Sequence, residues 1–252
     1  MKIELISHTP DALNLLLRTK GTRLAHEDDP ATWTDEKRKE HLTYMLQTLR
    51  SSWEFVHFVF RISGITRATT HQLVRTRAGS YAQESQRTVD VSDHDVTTPE
   101  NLSPDQKSMF DQAVQLAKAS YTSMLKAGVP AGIARGVLPT NTNTSIICAF
   151  NLRTLHDMAL VRLCTRTAGE YQDMFRAMRA EVLKIYPWCD PFIQVQCVAT
   201  ATCAFERYGR ESCPVWTRDL DREAVKEDMR ARFWSADRYS AAPVAVDGMS
   251  KG

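Results

Sequence analysis

The ten residues WEFVHFVFRI, 53–62, constrain this chain more than any other stretch. In an extended backbone the side chains alternate between two faces. Val56, Phe58, Phe60 and Ile62 then share one face, and Trp53, Phe55, His57, Val59 and Arg61 share the other. Aromatic and β-branched residues favour this pleated conformation, and an apolar row needs a core to cover it. The spacing therefore predicts a strand over 53–62, ended by Ser63-Gly64, with a sheet built around it. A lone histidine at His57, between Phe55 and Val59, reads as a hydrogen-bonded core residue.

Other segments supply further strands and helices. KIELIS (2–7) alternates weakly and predicts a first strand. Thr34 precedes DEKRKEHLTYMLQTLR, whose acidic first turn and apolar Leu42, Met45, Leu46 and Leu49 predict a helix. A short helix is expected through TRATTHQLV, and the polar residues 90–103 read as loop. Ser103, Pro104 and Gln106 form a capping-box start for a helix running to about Lys126, with Gly128 suited to its end. SIICAFN (145–151) predicts another strand. Helices follow over about 152–164 and 169–185, the second with Tyr171, Met174, Phe175, Met178, Val182 and Ile185 on one face and Pro187 as its stop. No repeat or linker interrupts the pattern. The expectation is one α+β domain over residues 1–235, followed by a disordered tail over 236–252.

Several function classes find no support. The 252 residues carry a net charge of +2, too little for the electrostatic footprint of a nucleic-acid binder. No apolar run approaches the ~20 residues of a membrane span. The start MKIELISHTP lacks the apolar core of a signal peptide. The reading is therefore a cytoplasmic protein with reduced cysteines. Cys197, Cys203 and Cys213 lie close in sequence, but their spacing fits no common zinc site, and no metal is expected. Glycine-rich nucleotide fingerprints and hydrolase motifs are also missing.

The positive signal is HQLVRTRAGSYAQESQRTVD, residues 71–90. Arg75, Arg77 and Arg87 stand around Ser85 and Gln83, with Glu84 the one carboxylate before Asp90. Guanidinium groups this close repel one another unless an anion sits among them. Arg135, Arg153, Arg162 and Arg166 add further planar forks that match phosphate and imide oxygens two at a time. Ser85 has no histidine near it in sequence to act as a base, so it reads as a hydrogen-bond donor rather than a nucleophile.

The spacing Arg75-x-Arg77, seven residues, Ser85 resembles the R-H-R-x7-S signature of the flavin-dependent thymidylate synthases. Three other segments resemble the family in the same order: EFVHFVFRISGITRATTHQLVR before the motif, ARGVLP after it, and NLRTLHDMALVRLCTRTAGE beyond that. The resemblance covers roughly residues 40–185. It implies a central, mostly antiparallel sheet flanked by helices, and a homotetramer with active sites shared between subunits. It implies reductive methylation of dUMP to dTMP, with FAD as cofactor and methylenetetrahydrofolate and NADPH as co-substrates. By resemblance, FAD would be held by Trp53, His57, Arg75, Thr76, Arg77, Gln83, Asn151, Leu152, Arg153 and Asp157. The nucleotide would meet Gln72, Leu73, Val74, Arg75, Gln83, Glu84, Ser85, Gln86, Arg87, Arg135 and Arg162. Arg162 matches the arginine that favours ionisation of the uracil imide. The chain departs from the family pattern at Thr76 in place of histidine, at Ala82, at Thr88 and at Gly169. Such departures leave open a related flavin enzyme that methylates or hydroxymethylates another pyrimidine nucleotide, or a relative that binds a nucleotide without turnover.

Overall fold

A computed structural model describes residues 1–25, 29–164, 166–167, 169–200, 202–203 and 205. The tail expected over 236–252 lies outside them. Its order is β1 (Lys2–His8), α1 (Ala12–Arg23), α2 (Asp35–Gln47), β2 (His57–Thr66), α3 (Arg67–Leu73), β3 (Ser80–Gln83), α4 (Pro104–Lys126), α5 (Ala131–Ala134), β4 (Asn143–Asn151), α6 (Leu152–Arg162), α7 (Glu170–Ile185) and α8 (Gln196–Thr200). The strands form one antiparallel sheet in the order β1-β2-β4-β3. The α+β class and the sheet agree with expectation. No helix among the described residues is long and apolar enough to cross a membrane.

The chain divides into two compact units. The first comprises Met1–Glu4 and Phe60–Cys148, and the second Leu5–Val59 and the chain from Ala149 onward. In the first, Phe60, Ile62 and Ile65 of β2, Leu73 of α3, and Ile146 and Cys148 of β4 are buried. Helix α4 opens with the capping box at Ser103 and Gln106 and gives way to Gly128, whose φ of 82° is the left-handed turn glycine permits. Tyr121 of α4 packs with Val91 and Ala134, flanked by Met124, Leu125, Val129 and Leu138. This small core seats the 3-10 turn Arg135–Val137 beside α4. In the second unit, Leu16 and Leu17 of α1, Leu42 and Met45 of α2, and Tyr171, Met174, Phe175, Met178 and Val182 of α7 are buried.

Some expectations require correction. Strand β2 begins at His57, not Trp53, because Ser51–Phe55 forms a 3-10 turn. The turn drives the Trp53 indole fully into the core and leaves Phe55 56% exposed. Burying so large an indole outweighs strand alternation there. His57, at the strand's start, is exposed rather than in the core. Ser63-Gly64 does not end the strand, since Gly64 takes φ 68° and lets it run on to Thr66. Leu49 lies past the end of α2 and is 69% exposed, so it does not extend the helix's apolar face. Helix α1 and the short β3 carried no expectation. The alternation of Val56, Phe58, Phe60 and Ile62 holds, and all four are buried.

Candidate active site

In the first unit, β2 delivers the chain directly into α3. Thr66 caps that helix by accepting the Thr69 N–H at 3.1 Å. Arg67 follows as its first residue, and Gln72, Leu73, Val74 and Arg75 lie at its far end. Leu73 is buried and Val74 half-buried, while Gln72, Arg75 and Arg77 are exposed. Tyr81 of β3 folds back onto the turn that follows. Its hydroxyl lies 3.1 Å from the Leu73 carbonyl and 2.6 Å from the Thr76 carbonyl. That contact fixes the backbone carrying Arg75, Thr76 and Arg77. Gln83 donates to Thr70 Oγ1 at 2.9 Å, and Thr70 in turn donates to the Arg67 carbonyl at 3.0 Å.

The next residues form a tight turn. Ser85 Oγ accepts the Arg87 N–H at 3.2 Å, and the Ser85 carbonyl accepts the Val89 N–H at 3.1 Å. The Ser85 hydroxyl proton stays available to a ligand. Gln86 is buried, with no partner for its amide nitrogen among the described residues. The Glu84 carboxylate meets His94 Nε2 at 2.8 Å. Arg135 donates through Nε to the Gly132 carbonyl at 3.3 Å. A Cβ at position 132 would stand 3.8 Å from Cγ and Nε of Arg87, so Arg87 and Arg135 flank the same glycine. Among the described residues, no carboxylate lies within ion-pair distance of Arg67, Arg75, Arg77, Arg87 or Arg135. These five arginines thus lack a carboxylate counter-ion, and the structure brings Arg87 and Arg135 together at Gly132.

In the second unit, the 3-10 turn Ser51–Phe55 and helix α6 carry the candidate residues. Asn151 caps α6, accepting the Thr154 N–H through Oδ1 at 2.8 Å, which leaves its amide N–H groups free to donate. Buried Leu152 ties the start of α6 to Val56, the residue before β2, its N–H donating to the Val56 carbonyl at 2.8 Å. Arg153 and Asp157, one helical turn apart, are exposed and pair with Glu54 and Arg50 respectively. Exposed pairs of this kind contribute little to stability and a charged ligand can displace them. His57 is exposed beside its backbone link to Thr9 Oγ1, at 2.8 Å. Arg162 ends α6 with its guanidinium over the Tyr171 ring, 4.2 Å from the centroid.

Trp53 and Leu152 lie in the core of this unit, behind those polar groups. The Trp53 ring packs edge-on against His156 and Phe192. His156 Nδ1 lies 2.7 Å from the Phe192 carbonyl, and burial holds its pKa below the ordinary value against the raising effect of that hydrogen bond. Burial pushes the Cys148 thiol up to about 12 and raises Cys189 well above the ordinary thiol value, so neither is a nucleophile. Cys213, one of the three cysteines weighed for zinc, lies outside the described residues. Within them, no group of three or more His, Cys, Asp and Glu residues could hold a metal.

Sequence reasoning missed Arg67, His94, Glu54 and Arg50. Arg67 left one trace: an arginine follows a threonine cap, where the positive end of a helix favours a carboxylate. The His94–Glu84 pair spans ten residues and left none.

The chain matches the family model described as thymidylate synthase complementing protein over residues 4–188. It is 30% identical over 206 residues to a flavin-dependent thymidylate synthase of Sulfurisphaera tokodaii, covering 79% of each chain. It is 29% identical over 230 residues to one from Sulfolobus acidocaldarius, covering 88% of this chain and 85% of that one. A third, from Geobacter sulfurreducens, is 34% identical over 206 residues, covering 77% and 85%.

Proposed function

Because the chain belongs to the thymidylate synthase complementing protein family, it is a flavin-dependent thymidylate synthase, and we propose the following division of labour among its residues. The reaction converts dUMP, methylenetetrahydrofolate, NADPH and a proton to dTMP, tetrahydrofolate and NADP⁺. Arg87, Arg135 and Ser85 bind the nucleotide phosphate. Gln72 and Gln83 orient the base, and Arg75 serves both ligands. Leu73, Val74, Glu84 and Gln86 support this lining from α3 and the adjoining turn. Arg162 lies beside the uracil imide, where its permanent charge stabilises the N3 anion and pushes electron density toward C5.

The donor set fits an FAD pyrophosphate: Arg75 and Arg77 carry no carboxylate partner, and Asn151 keeps its amide donors. Arg75, Thr76, Arg77 and Gln83 are assigned to FAD, as are His57, Asn151, Arg153 and Asp157. Trp53 and Leu152 back the latter group from the core. Bound FAD supplies the redox chemistry, relaying reducing equivalents from NADPH, while the protein binds and polarises. A homotetramer with shared active sites is supported by α4, a 23-residue helix that buries only Tyr121 and leaves Met109 and Leu116 about 70% exposed. Location in the cytoplasm fits the reduced thiols of Cys148, Cys164, Cys189 and Cys203.

The observation that carries this reading is the uncompensated arginine cluster in the R-x-R-x7-S register. Purified protein should be yellow, should bleach with NADPH, and should oxidise NADPH to form dTMP only with dUMP and methylenetetrahydrofolate present. A colourless preparation that ignores added FAD would defeat it.

A further inference from the structure

We propose that Tyr171 is a positioning residue for the reaction: its ring seats the Arg162 guanidinium and leaves the N–H donors free for the uracil imide. The inference rests on the reading above that assigns Arg162 to that imide.

Arg162 is the last residue of α6 and is half-buried. An arginine side chain at a helix end has many rotamers, and without a tether it spreads over them. Among the described residues, no carboxylate lies within ion-pair distance of it. What holds it is Tyr171, with Arg162 Cζ over the ring and 4.2 Å from its centroid. The choice of tether matters chemically. A carboxylate would occupy guanidinium N–H groups and cancel much of the charge. An aromatic face attracts the cation through its π electrons and uses none of the five donors. A group that must both donate to an imide and polarise it needs the second kind of tether.

The ring is itself held firmly. Tyr171 is the second residue of α7 and only 2% exposed. Its neighbour Gln172 donates through Nε2 to the Leu163 carbonyl at 3.3 Å and to the Cys164 carbonyl at 2.5 Å. Thr167 Oγ1 donates to the Val161 carbonyl at 2.9 Å. The backbone on both sides of Arg162 is therefore pinned. The freedom left is that of the side chain, and the Tyr171 ring removes it.

The test compares Tyr171→Phe, Tyr171→Leu, Arg162→Ala and the double variant Tyr171→Leu with Arg162→Ala, each loaded with flavin. One readout is single-turnover oxidation of the reduced flavin with saturating dUMP and methylenetetrahydrofolate. The other is ionisation of N3 in bound, isotope-labelled dUMP, followed by NMR against pH. Tyr171→Leu should slow turnover about 10-fold, the cost of a charge that is present but misdirected. It should leave dUMP affinity unchanged and raise the pH at which N3 ionises. Tyr171→Phe keeps the ring and should match wild type in both. With alanine at 162, Tyr171→Leu should add no further loss. Should the core reject leucine, Tyr171→Met, which adapts to irregular space, replaces it. Wild-type rate and N3 ionisation in Tyr171→Leu overturn the inference. So does a further loss in the double variant. A loss in Tyr171→Phe also overturns it, whatever the other variants do, because the ring is still there. If Arg162→Ala itself behaves as wild type, the assignment of Arg162 falls and the inference with it. If Arg162→Ala fails while Tyr171→Leu does not, the inference alone falls.

Discussion

The indole of Trp53 meets the imidazole of His156 edge-on, with ring centroids 5.0 Å apart, and both rings are buried. Trp53 Nε1 and His156 Nε2 have no hydrogen-bond partner among the described residues. A charge on this imidazole would have no water to solvate it, so the folded protein keeps His156 neutral and its pKa is depressed. The unfolded chain, with histidine near 6.5, then binds more protons than the folded one as pH falls below that value. Stability should be fully present above about pH 6.5 and decline as pH falls from there toward the folded pKa. Denaturant titrations between pH 7.5 and 5 check this. His156→Gln should flatten the decline, and an unchanged slope would remove His156 as its source. Trp53→Ala should cost about 3–5 kcal/mol at neutral pH by opening a cavity.

Arg162→Ala should keep the fold and the flavin. Stacking on Tyr171 is worth only about 0.5–1 kcal/mol, so the melting temperature should move little. The dUMP-dependent turnover should fall about 10²- to 10³-fold, the usual loss when a charge stabiliser is removed. Steady-state kinetics beside a flavin spectrum reads both. Normal turnover would remove Arg162 from the chemistry.

Tyr81→Phe deletes one hydroxyl from the turn carrying Arg75, Thr76 and Arg77. It should destabilise the protein by about 1 kcal/mol and weaken FAD retention without abolishing it. Arg77→Ala should weaken retention more, since it deletes a charged donor rather than its support. Flavin-to-protein ratio after gel filtration measures both. Full loading of Arg77→Ala would contradict its assignment.

Gly64→Ala should destabilise the fold by about 1–2 kcal/mol, because φ 68° is the left-handed region. Space is not the obstacle: a Cβ there would lie 3.5 Å from the Met1 backbone, an ordinary contact. Gly64→Asn, which tolerates that region better, should lose less. Equal melting temperatures for wild type and Gly64→Ala would refute the backbone argument.

The sequence by itself determined the elements whose causes are local. The capping box at Ser103, the alternation from Val56 to Ile62 and the apolar face of α7 each depend on neighbours within a few residues, so pattern alone revealed them. The R-x-R-x7-S register and its flanks pointed to the family for the same reason. Tertiary structure alone decided where Trp53 goes, since filling a core with an indole is a packing matter that overrides strand alternation. It also decided which arginines lack a counter-ion. Arg153 is paired with Glu54, 99 positions away, whereas the Glu84 carboxylate, beside Ser85 in the motif, pairs with His94. Charge compensation acts through space, and spacing along the chain carries no record of it.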